Sequence, residues 1–204
     1  MNAPKPTLTI IAGANGVGKS TFTRATSEAL QVIVIDPDAE ARRVQPDNPE
    51  AAAIAGGRQA IKRARAYLEN NQSFAVETTL SGNTYLRMMA EAKRRGWQVN
   101  LIYVGVDNVQ NSIERVAQRV AAGGHNVPEA DIRRRYARSL ANLPMAIQQA
   151  DYASIFDNST RVGYRKILTI ENGKVTEQVS ELPEWIVTAL PQAFIEPNQN
   201  KSIQ

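Results

Sequence analysis

A glycine-rich segment near the start of the chain constrains the fold more than any other feature. Residues 13–20 read Gly-Ala-Asn-Gly-Val-Gly-Lys-Ser, which matches the P-loop pattern G-x-x-x-x-G-K-S at every fixed position. Apolar, β-rich residues 7–12 precede the segment, and residues 21–30 have helical periodicity. A strand, a loop and a helix in this order place backbone N–H groups and a helix N-terminus around one point. The sequence therefore predicts a phosphate-binding site rather than a glycine-rich turn that binds nothing.

Two side chains of this segment have defined roles in the P-loop pattern. Lys19 is expected to reach the β- and γ-phosphates of a nucleotide, and the Ser20 hydroxyl to bind the Mg²⁺ ion that bridges them. We therefore expect ATP and Mg²⁺ as cofactors. The residues of this region expected to bind the nucleotide are Gly13, Ala14, Asn15, Gly16, Val17, Gly18, Lys19, Ser20 and Thr21.

The length and composition favour a single soluble domain. The chain has 204 residues, of which 43% are hydrophobic and 22% charged, enough apolar material for one sizeable core. We expect a domain over residues 7–194, with disordered tails at 1–6 and 195–204. No stretch approaches the roughly 18 apolar residues of a membrane span, and residues 1–6 lead directly into the first strand. The predicted location is the cytoplasm, with no membrane partner.

Residue counts exclude several kinds of chemistry. With no cysteine and one histidine, the chain has no disulfide, no thiolate nucleophile and no multi-histidine metal site. A net charge of +4 and a pI near 9.5 suit nucleic acid, yet they equally suit a pocket that holds a polyphosphate. No run of five like charges occurs, which favours the pocket. We therefore expect a small-molecule partner with a free hydroxyl and no nucleic acid.

Short β-rich runs alternate with helical segments along the chain. After the strand at 7–12, further strands are predicted at 31–35, 74–77, 99–104 and 152–156. This alternation predicts an α/β fold of the P-loop NTPase type, a three-layer sandwich whose parallel five-stranded sheet has helices on both faces. A C-terminal β-hairpin is expected at 164–179, because Asn172-Gly173 is a strong signal for a tight turn.

Proline and glycine residues give more detailed predictions for three helices. A helix capped by Asn48 is expected over 49–70, with a break or a close backbone approach at Gly56-Gly57. A helix over 128–150 is expected to have a kink or a short break before Pro144. One short helix is expected to begin at Pro183.

Polar residues follow the predicted strands at the edge where parallel sheets bind their ligands. Taken alone, each acid is equally well a turn former or a helix N-cap. Together with a P-loop, they surround the expected position of a γ-phosphate. These residues are Asp36 and Asp38 after the second strand, Glu77, Thr78 and Thr79 after the third, Asp107 after the fourth, and Asp157, Asn158 and Ser159 after the fifth.

Phosphoryl transfer to a hydroxyl needs a carboxylate that orients the acceptor and accepts its proton. We assign this role to Asp38, and we expect Asp36 beside the Mg²⁺, although the sequence alone allows the two acids to exchange roles. Glu77 is expected to bind the hydroxyls of the substrate, with Thr78 and Thr79 extending that contact.

Arginines cluster on both sides of a loop that contains Gly123-Gly124. Arg115 and Arg119 lie one helical turn apart before the loop, and residues 133–135 are consecutive arginines after it. This arrangement predicts a helical lid over about 115–138 that closes on the nucleotide phosphates. Arg119 is the first candidate for a catalytic arginine. The second is either Arg134 or Arg135. Since three consecutive residues cannot share one helix face, at least one of residues 133–135 only solvates the helix surface.

The order of these motifs resembles the short branch of the zeta toxin family of P-loop kinases. Family members of known activity phosphorylate a hydroxyl of UDP-N-acetylglucosamine with ATP, and some are held inactive by a small antitoxin. The chain lacks the longer insertions of the better-known toxins. The motifs, which extend from residue 7 to about 160, are the P-loop, Ile35-Asp36-Pro37-Asp38, Val76-Glu77-Thr78-Thr79-Leu80-Ser81, the arginine lid with residues 123–128, and Phe156-Asp157-Asn158-Ser159.

The resemblance implies a role for individual residues. It implies a kinase acting on a sugar nucleotide, with a small antitoxin as a partner, and it places Asn158 near the adenine. The remaining implied roles are Lys19 on phosphate, Asp38 as base, Glu77 on substrate, and Arg119 with Arg134 or Arg135 on the γ-phosphate.

Two other classes of protein compete with this interpretation. A switch or motor NTPase would turn over ATP without an acceptor, but residues 101–104 with Asp107 match a Walker B strand poorly, and residues 80–83 match an ABC signature poorly. A nucleic-acid-binding module would interleave aromatic residues with surface arginines, and only Tyr136 lies within the arginine cluster. The sequence favours the kinase.

Overall fold

A computed structural model describes residues 4–30, 33–45, 51–160 and 162–195 of the chain. These residues include one seven-stranded sheet with the strand order β2-β3-β1-β4-β5-β6-β7. The strands are β1 (Thr7–Ala12), β2 (Ile33–Ile35), β3 (Phe74–Thr78), β4 (Gln98–Gly105), β5 (Tyr152–Asp157), β6 (Arg165–Glu171) and β7 (Lys174–Gln178).

Seven α-helices of the described residues connect and cover the strands. In the part of the chain that the structure describes, no helix combines the length and the apolar character that crossing a membrane requires. The helices are α1 (Lys19–Leu30), α2 (Pro37–Val44), α3 (Ala53–Glu69), α4 (Thr84–Arg94), α5 (Val109–Ala121), α6 (Glu129–Gln149) and α7 (Glu184–Ala189), followed by a 3₁₀ turn at Gln192–Phe194.

The predicted fold class is confirmed. Strands β2, β3, β1, β4 and β5 pair in parallel, with β1 between β3 and β4. The predicted hairpin forms as β6 and β7 and extends the same sheet in antiparallel pairing beside β5. Its turn places Asn172 and Gly173 at φ values of 48° and 77°, as a two-residue hairpin turn with positive φ requires.

The core lies around the central strands, which are buried on both faces. Leu8, Ile10 and Ile11 of β1 have no exposed surface, because helices cover a parallel sheet on its two sides. Burying each such side chain contributes roughly 1.5–3 kcal/mol. The P-loop begins at the carboxyl end of β1. Because β1 is held in the core, the position of the first P-loop residue is fixed.

Helix α2 was not predicted from the sequence. Residues Asp36-Pro37-Asp38 were expected only to end the second strand. The Asp36 side chain accepts a hydrogen bond from the Asp38 backbone N–H and caps the helix, and Pro37 occupies its first turn. Both features are helix-start signals. A helix N-cap was one of the two alternatives for each acid that follows a strand, and Asp36 has this role.

Other details of the helix predictions are corrected by the structure. Helix α6 continues through Pro144 without the short break, one of the two alternatives that the sequence allowed; the other, a kink, stays a prediction. Helix α3 is continuous at Gly56, where a close backbone approach is confirmed because an added Cβ would lie 2.5 Å from the Ala41 nitrogen. The predicted cap at Asn48 and start at Pro49 lie outside the described residues, as do Gln31 and Val32. Ile195, placed in the C-terminal tail by the sequence, is 9% exposed and joins the core cluster.

Candidate active site

The P-loop connects β1 to α1 and needs glycine at three crowded positions; at Gly13, where φ is 142°, a Cβ would overlap the Val104 carbonyl oxygen of β4. Gly16 has a φ of 75°, and a Cβ there would overlap the Ser112 carbonyl oxygen of α5. Gly18 has a φ of 102°, and a Cβ there would lie 2.7 Å from Asn158 Nδ2 and 2.8 Å from Tyr164 Oη. Side chains rarely adopt these dihedrals. The loop therefore packs closely against α5 and against the segment between β5 and β6.

Lys19 lies at the centre of the site, at the first turn of α1. Its Nζ donates a 2.8 Å hydrogen bond to the Ala14 carbonyl oxygen within the P-loop. Loss of hydration lowers the pKa of Lys19 to about 8, and the nearby carboxylates of Glu77, Asp38 and Asp36 oppose this shift. Because little water solvates this ammonium group, its charge attracts anionic phosphate oxygens strongly.

Ser20 and Glu77 connect the P-loop to the neighbouring strand. The Ser20 hydroxyl donates a 2.9 Å hydrogen bond to the Glu77 carboxylate, which is 5% exposed. Burial and the nearby Glu77 carboxylate raise the pKa of Asp36. A hydroxyl bonded to a buried carboxylate, with the partly exposed carboxylate of Asp36 nearby, is a donor set that suits Mg²⁺, which prefers one or two carboxylates together with phosphate oxygens. Among the described residues, no group of three or more His, Cys, Asp or Glu side chains is able to hold a metal by itself.

A tight turn after β3 shapes the side of the site that holds the threonines. Leu80 has a φ of 55° although it is not glycine, a costly conformation that needs support from its surroundings. The Leu80 backbone N–H donates to Thr78 Oγ1 over 3.0 Å, and the Leu80 carbonyl accepts from Asn142 Nδ2 of α6 over 2.8 Å. The Thr79 and Ser81 hydroxyls lie 2.9 Å apart and share a hydrogen bond.

Arginines from α5 and α6 form the opposite side of the site. Arg119 donates to the His125 carbonyl oxygen from Nε over 3.1 Å and from an Nη over 2.8 Å. Arg115, which the sequence analysis did not assign to the site, donates to the Asn158 carbonyl oxygen over 2.7 Å. Arg135 lies 3.4 Å from the Asn15 side-chain oxygen of the P-loop.

The two consecutive arginines of α6 have different surroundings. Both pair with Asp131, Arg134 over 2.8 Å and Arg135 over 3.6 Å, but the side chain of Arg134 is 52% exposed and that of Arg135 is 34% exposed. Arg134 does not line the cavity, whereas Arg135 does. Of the two alternatives that the sequence left open, the structure therefore brings Arg135 to the site.

The segment after β5 closes the site next to the P-loop. Asn158 Nδ2 donates to the Val17 carbonyl oxygen over 2.9 Å, and Tyr164 Oη donates to the Gly18 carbonyl oxygen over 2.8 Å. Asp157 has a structural role, because its carboxylate accepts a 3.0 Å hydrogen bond from Trp185 Nε1 of α7. Tyr164 had no sequence signal, because it reaches the P-loop only through the pairing of β6 with β5.

Most of the predicted residues meet in one cavity of about 1010 Å³. Gly13, Ala14 and Val17 are not among its lining residues. The side chains of Ala14 and Val17 are 1% exposed and belong to a buried apolar cluster behind the loop. Asp107 lines a different, smaller cavity and bonds to Asn111. The predicted residues that line the large cavity are Asn15, Gly16, Gly18, Lys19, Ser20, Thr21, Asp36, Asp38, Glu77, Thr78, Thr79, Arg119, Arg135 and Asn158, joined by the unpredicted Arg24, Ile54, Arg115, Asp131 and Tyr164.

The fold and the site together define a P-loop NTPase-like domain. The AAA domain family (AAA_33) matches residues 8–140, and the chain belongs to this family. An uncharacterised protein of Haemophilus influenzae is 40% identical over 124 residues, which cover 61% of this chain and 88% of that protein.

Solved structures share the fold at low sequence identity. The AvrRxo1-ORF1:-ORF2 complex with ATP matches with a TM-score of 0.65 and 17% identity, covering 84% of this chain and 60% of that chain. The PezAT toxin-antitoxin system of Streptococcus pneumoniae matches with a TM-score of 0.60 and 14% identity, covering 83% of this chain and 73% of that chain. The chain therefore spans about three fifths of the length of the AvrRxo1 chain that it matches.

Proposed function

We propose that the protein is a kinase that transfers the γ-phosphate of ATP to a hydroxyl of a small molecule. The observation that carries the proposal is that the P-loop residues Lys19 and Ser20 share one cavity with Asp38 and with Arg119 and Arg135. Phosphoryl transfer depends on positioning and on charge stabilisation, and this cavity offers groups for both. The match to a structure that holds ATP supports ATP as the donor.

In the proposed reaction, the acceptor oxygen forms a bond to the γ-phosphorus while the bond to the β–γ bridging oxygen breaks and ADP leaves. Asp38 accepts the proton of the hydroxyl, and Lys19, Arg119 and Arg135 stabilise negative charge on the transferred group. Ser20 with Glu77 or Asp36 would hold Mg²⁺, which neutralises charge on the β- and γ-phosphates when it is bound. The helices that carry the arginines act as the lid over about 115–138.

The acceptor that we propose is a sugar nucleotide such as UDP-N-acetylglucosamine. This proposal rests on the motif order shared with the short branch of the zeta toxin family. The same resemblance, together with the likeness to the PezAT and AvrRxo1-ORF1:-ORF2 structures, supports a further proposal that the protein is the toxin of a toxin–antitoxin pair with a small antitoxin partner.

The alternative is a P-loop ATPase or switch NTPase that needs no acceptor. Its sequence support was the weak Walker B match ending at Asp107, and this residue lines another cavity. The carboxylate that contacts the P-loop serine is instead Glu77, on the strand beside β1. The observations therefore favour the kinase.

The proposal is tested by ADP release from Mg²⁺-ATP with sugar nucleotides, nucleosides and aminoglycosides, and by mass spectrometry of the products. We expect an acceptor-dependent release and a product that has gained one phosphate. Lys19→Ala should abolish the release, whereas Lys62→Ala on the exposed face of α3 should leave it unchanged. If the rate of ADP release is the same with and without each acceptor, and no phosphorylated product forms, the protein is instead an NTPase.

A further inference from the structure

We infer that Glu40 is a positioning residue for the two acids at the start of α2. Through Arg63 it holds α2 against α3, and it thereby sets where Asp36 and Asp38 lie in the active-site cavity. The inference rests on the proposed function, in which one of these acids is the base and the other belongs to the metal shell. It holds whichever of the two is the base, and Glu40 itself does not line the cavity.

Glu40 is buried although it has no part in the proposed reaction. The residue is 4% exposed, whereas an acid in the first turn of a helix interacts with the helix dipole while it remains in water. Asp38 belongs to the same turn and lines the cavity. Because two residues of a helix are separated by about 200° around its axis, Glu40 faces away from the cavity. A carboxylate buried there needs charged partners.

Two arginines supply these partners, and one of them belongs to the other helix. Arg43 of α2 and Arg63 of α3 both donate to Glu40 Oε1. The Arg43 side chain is 67% exposed and lies one turn further along the same helix, so this pair contributes little. The Arg63 side chain is 29% exposed and joins the two helices. Loss of Arg63 would leave the buried charge with only a solvent-exposed partner.

A second contact fixes α2 on α3 at Gly56. An added Cβ at Gly56 would lie 2.5 Å from the Ala41 nitrogen and 2.6 Å from its Cα. Gly56 and Arg63 are seven residues apart and therefore lie on one face of α3, two turns from each other. Their partners, Ala41 and Glu40, are consecutive in α2. Of the described helices and strands, α3 is the one against which α2 packs most extensively, so α3 determines where α2 lies.

The first turn of α2 connects Glu40 to both acids. The Glu40 backbone N–H donates to the Asp36 carbonyl oxygen over 3.0 Å, and the Asp38 N–H donates to the Asp36 side chain over 2.9 Å. A shift of this turn therefore moves both carboxylates, and a displacement of about 1 Å costs as much as about 10²-fold in rate. The P-loop begins instead at β1, in the middle of the sheet, so its contacts with phosphate do not depend on α2.

The test uses neutral amides at the two charged positions. We expect Glu40→Gln and Arg63→Gln each to lower kcat by about tenfold or more, well below their melting temperatures and at saturating Mg²⁺, while the calorimetric affinity for ATP changes less than about threefold. Arg63→Lys keeps the charge and should stay within about threefold of the parent. Arg65→Gln, at an exposed position of α3, is the control and should leave kcat unchanged.

The double variant shows whether the two residues act together. If Glu40 acts through Arg63, the variant with both glutamines should have a kcat within about twofold of the poorer single variant. Losses in kcat that multiply in the double variant would overturn the inference. ATP binding that weakens as much as kcat falls would also overturn it, because general loss of structure has that effect.

Two neighbouring glycines provide a test that leaves the charges in place. Gly56→Ala inserts a methyl group between α3 and α2, whereas at Gly57 an added Cβ meets nothing within 4 Å. Alanine favours a helix more than glycine does at both positions. We expect Gly56→Ala to lower kcat by about tenfold with ATP affinity retained, and Gly57→Ala to match the parent. An unchanged kcat in Gly56→Ala would overturn the inference.

Hydrogen exchange separates this inference from the proposed function. Glu40→Gln and Gly56→Ala should speed amide exchange in α2 by about tenfold or more and leave β1 unchanged. If the parent phosphorylates no acceptor, the proposed kinase fails, and exchange together with the rate of Mg²⁺-ATP hydrolysis still tests the hold on α2. Unchanged exchange in α2 would overturn the inference, and faster exchange with full turnover would overturn the positioning role.

Discussion

The Ser20 hydroxyl donates a 2.9 Å hydrogen bond to the Glu77 carboxylate and so connects the P-loop to β3. The contact is set by the pairing of β1 with β3, in which Ile11 lies opposite Glu77. The sequence predicts that Glu77 binds the acceptor, yet this bond places its carboxylate beside the hydroxyl that is expected to bind Mg²⁺. The two roles lead to different kinetic behaviour and are therefore separable.

Glu77→Gln distinguishes a metal role from an acceptor role. Glutamine keeps an oxygen that accepts from Ser20 but removes the charge, so we expect the Mg²⁺ concentration for half-maximal turnover to rise by about tenfold or more. The KM of the acceptor should change by less than about threefold. Glu114→Gln, at an exposed carboxylate of α5, is the control. A raised acceptor KM at unchanged Mg²⁺ dependence would restore the original assignment.

Arg135 and Arg134 are adjacent and provide a matched pair for the arginine side. Both pair with Asp131, but Arg135 lines the cavity and contacts Asn15, whereas the side chain of Arg134 is half exposed and does not line it. We expect Arg135→Ala to lower kcat by about 10²-fold or more, as loss of a phosphate-contacting arginine does, and Arg134→Ala to stay within about threefold of the parent. Steady-state kinetics at saturating ATP measures both, and comparable losses would place Arg134 in the site.

Features set by local sequence were predictable. The P-loop, the alternation of strands with helices, and the Asn172-Gly173 turn each have a short-range cause, and the structure has all three. Helix α2 was missed because its cap, Asp36, follows the three-residue strand β2 directly, so the same residues also fit a simple turn. Of the kink and the short break that the sequence allowed before Pro144, the break did not form, because a proline costs one helical hydrogen bond, which the packing of α6 outweighs.

Features set by tertiary packing were not predictable. Which arginine of 133–135 faces the P-loop depends on the rotation of α6, and contacts such as Tyr103 Oη with Ser139 Oγ at 2.9 Å fix that rotation. Arg115 was recognised as part of the cluster, but its contact with the Asn158 carbonyl oxygen joins residues 43 positions apart. Periodicity within one helix carries no information about such partners.

The absence of a side chain at Gly124 leaves room for the side chain of Arg119. A Cβ at Gly124 would lie 2.5 Å from Arg119 Cγ and 2.9 Å from its carbonyl oxygen, so Gly124→Ala should displace the guanidinium that donates to the His125 carbonyl oxygen. We expect kcat to fall by about five- to twentyfold if Arg119 contacts the transferred phosphate. Gly57→Ala, where an added Cβ meets nothing within 4 Å, should leave kcat unchanged. Unaltered turnover in Gly124→Ala would argue against a role for Arg119.

Asp38 and Asp36 are compared through paired asparagine substitutions. Asparagine caps helices as well as aspartate does, so Asp36→Asn keeps the bond to the Asp38 N–H and removes only charge. The Asp36 pair with Arg42 is partly exposed at 3.8 Å and contributes little to stability. Neither variant should therefore shift the melting temperature by more than a few degrees, as thermal unfolding would show.

The catalytic consequences of these two substitutions should differ. Asp38→Asn is unable to accept the hydroxyl proton, so we expect kcat to fall by about 10² to 10⁴ while the affinity for Mg²⁺-ATP, measured by calorimetry, changes less than about threefold. Asp36→Asn should instead raise the Mg²⁺ requirement and leave more of the turnover intact, because its proposed role is in the metal shell. If Asp38→Asn loses ATP binding together with its Mg²⁺ dependence, Asp38 belongs to the metal shell and Asp36 becomes the base.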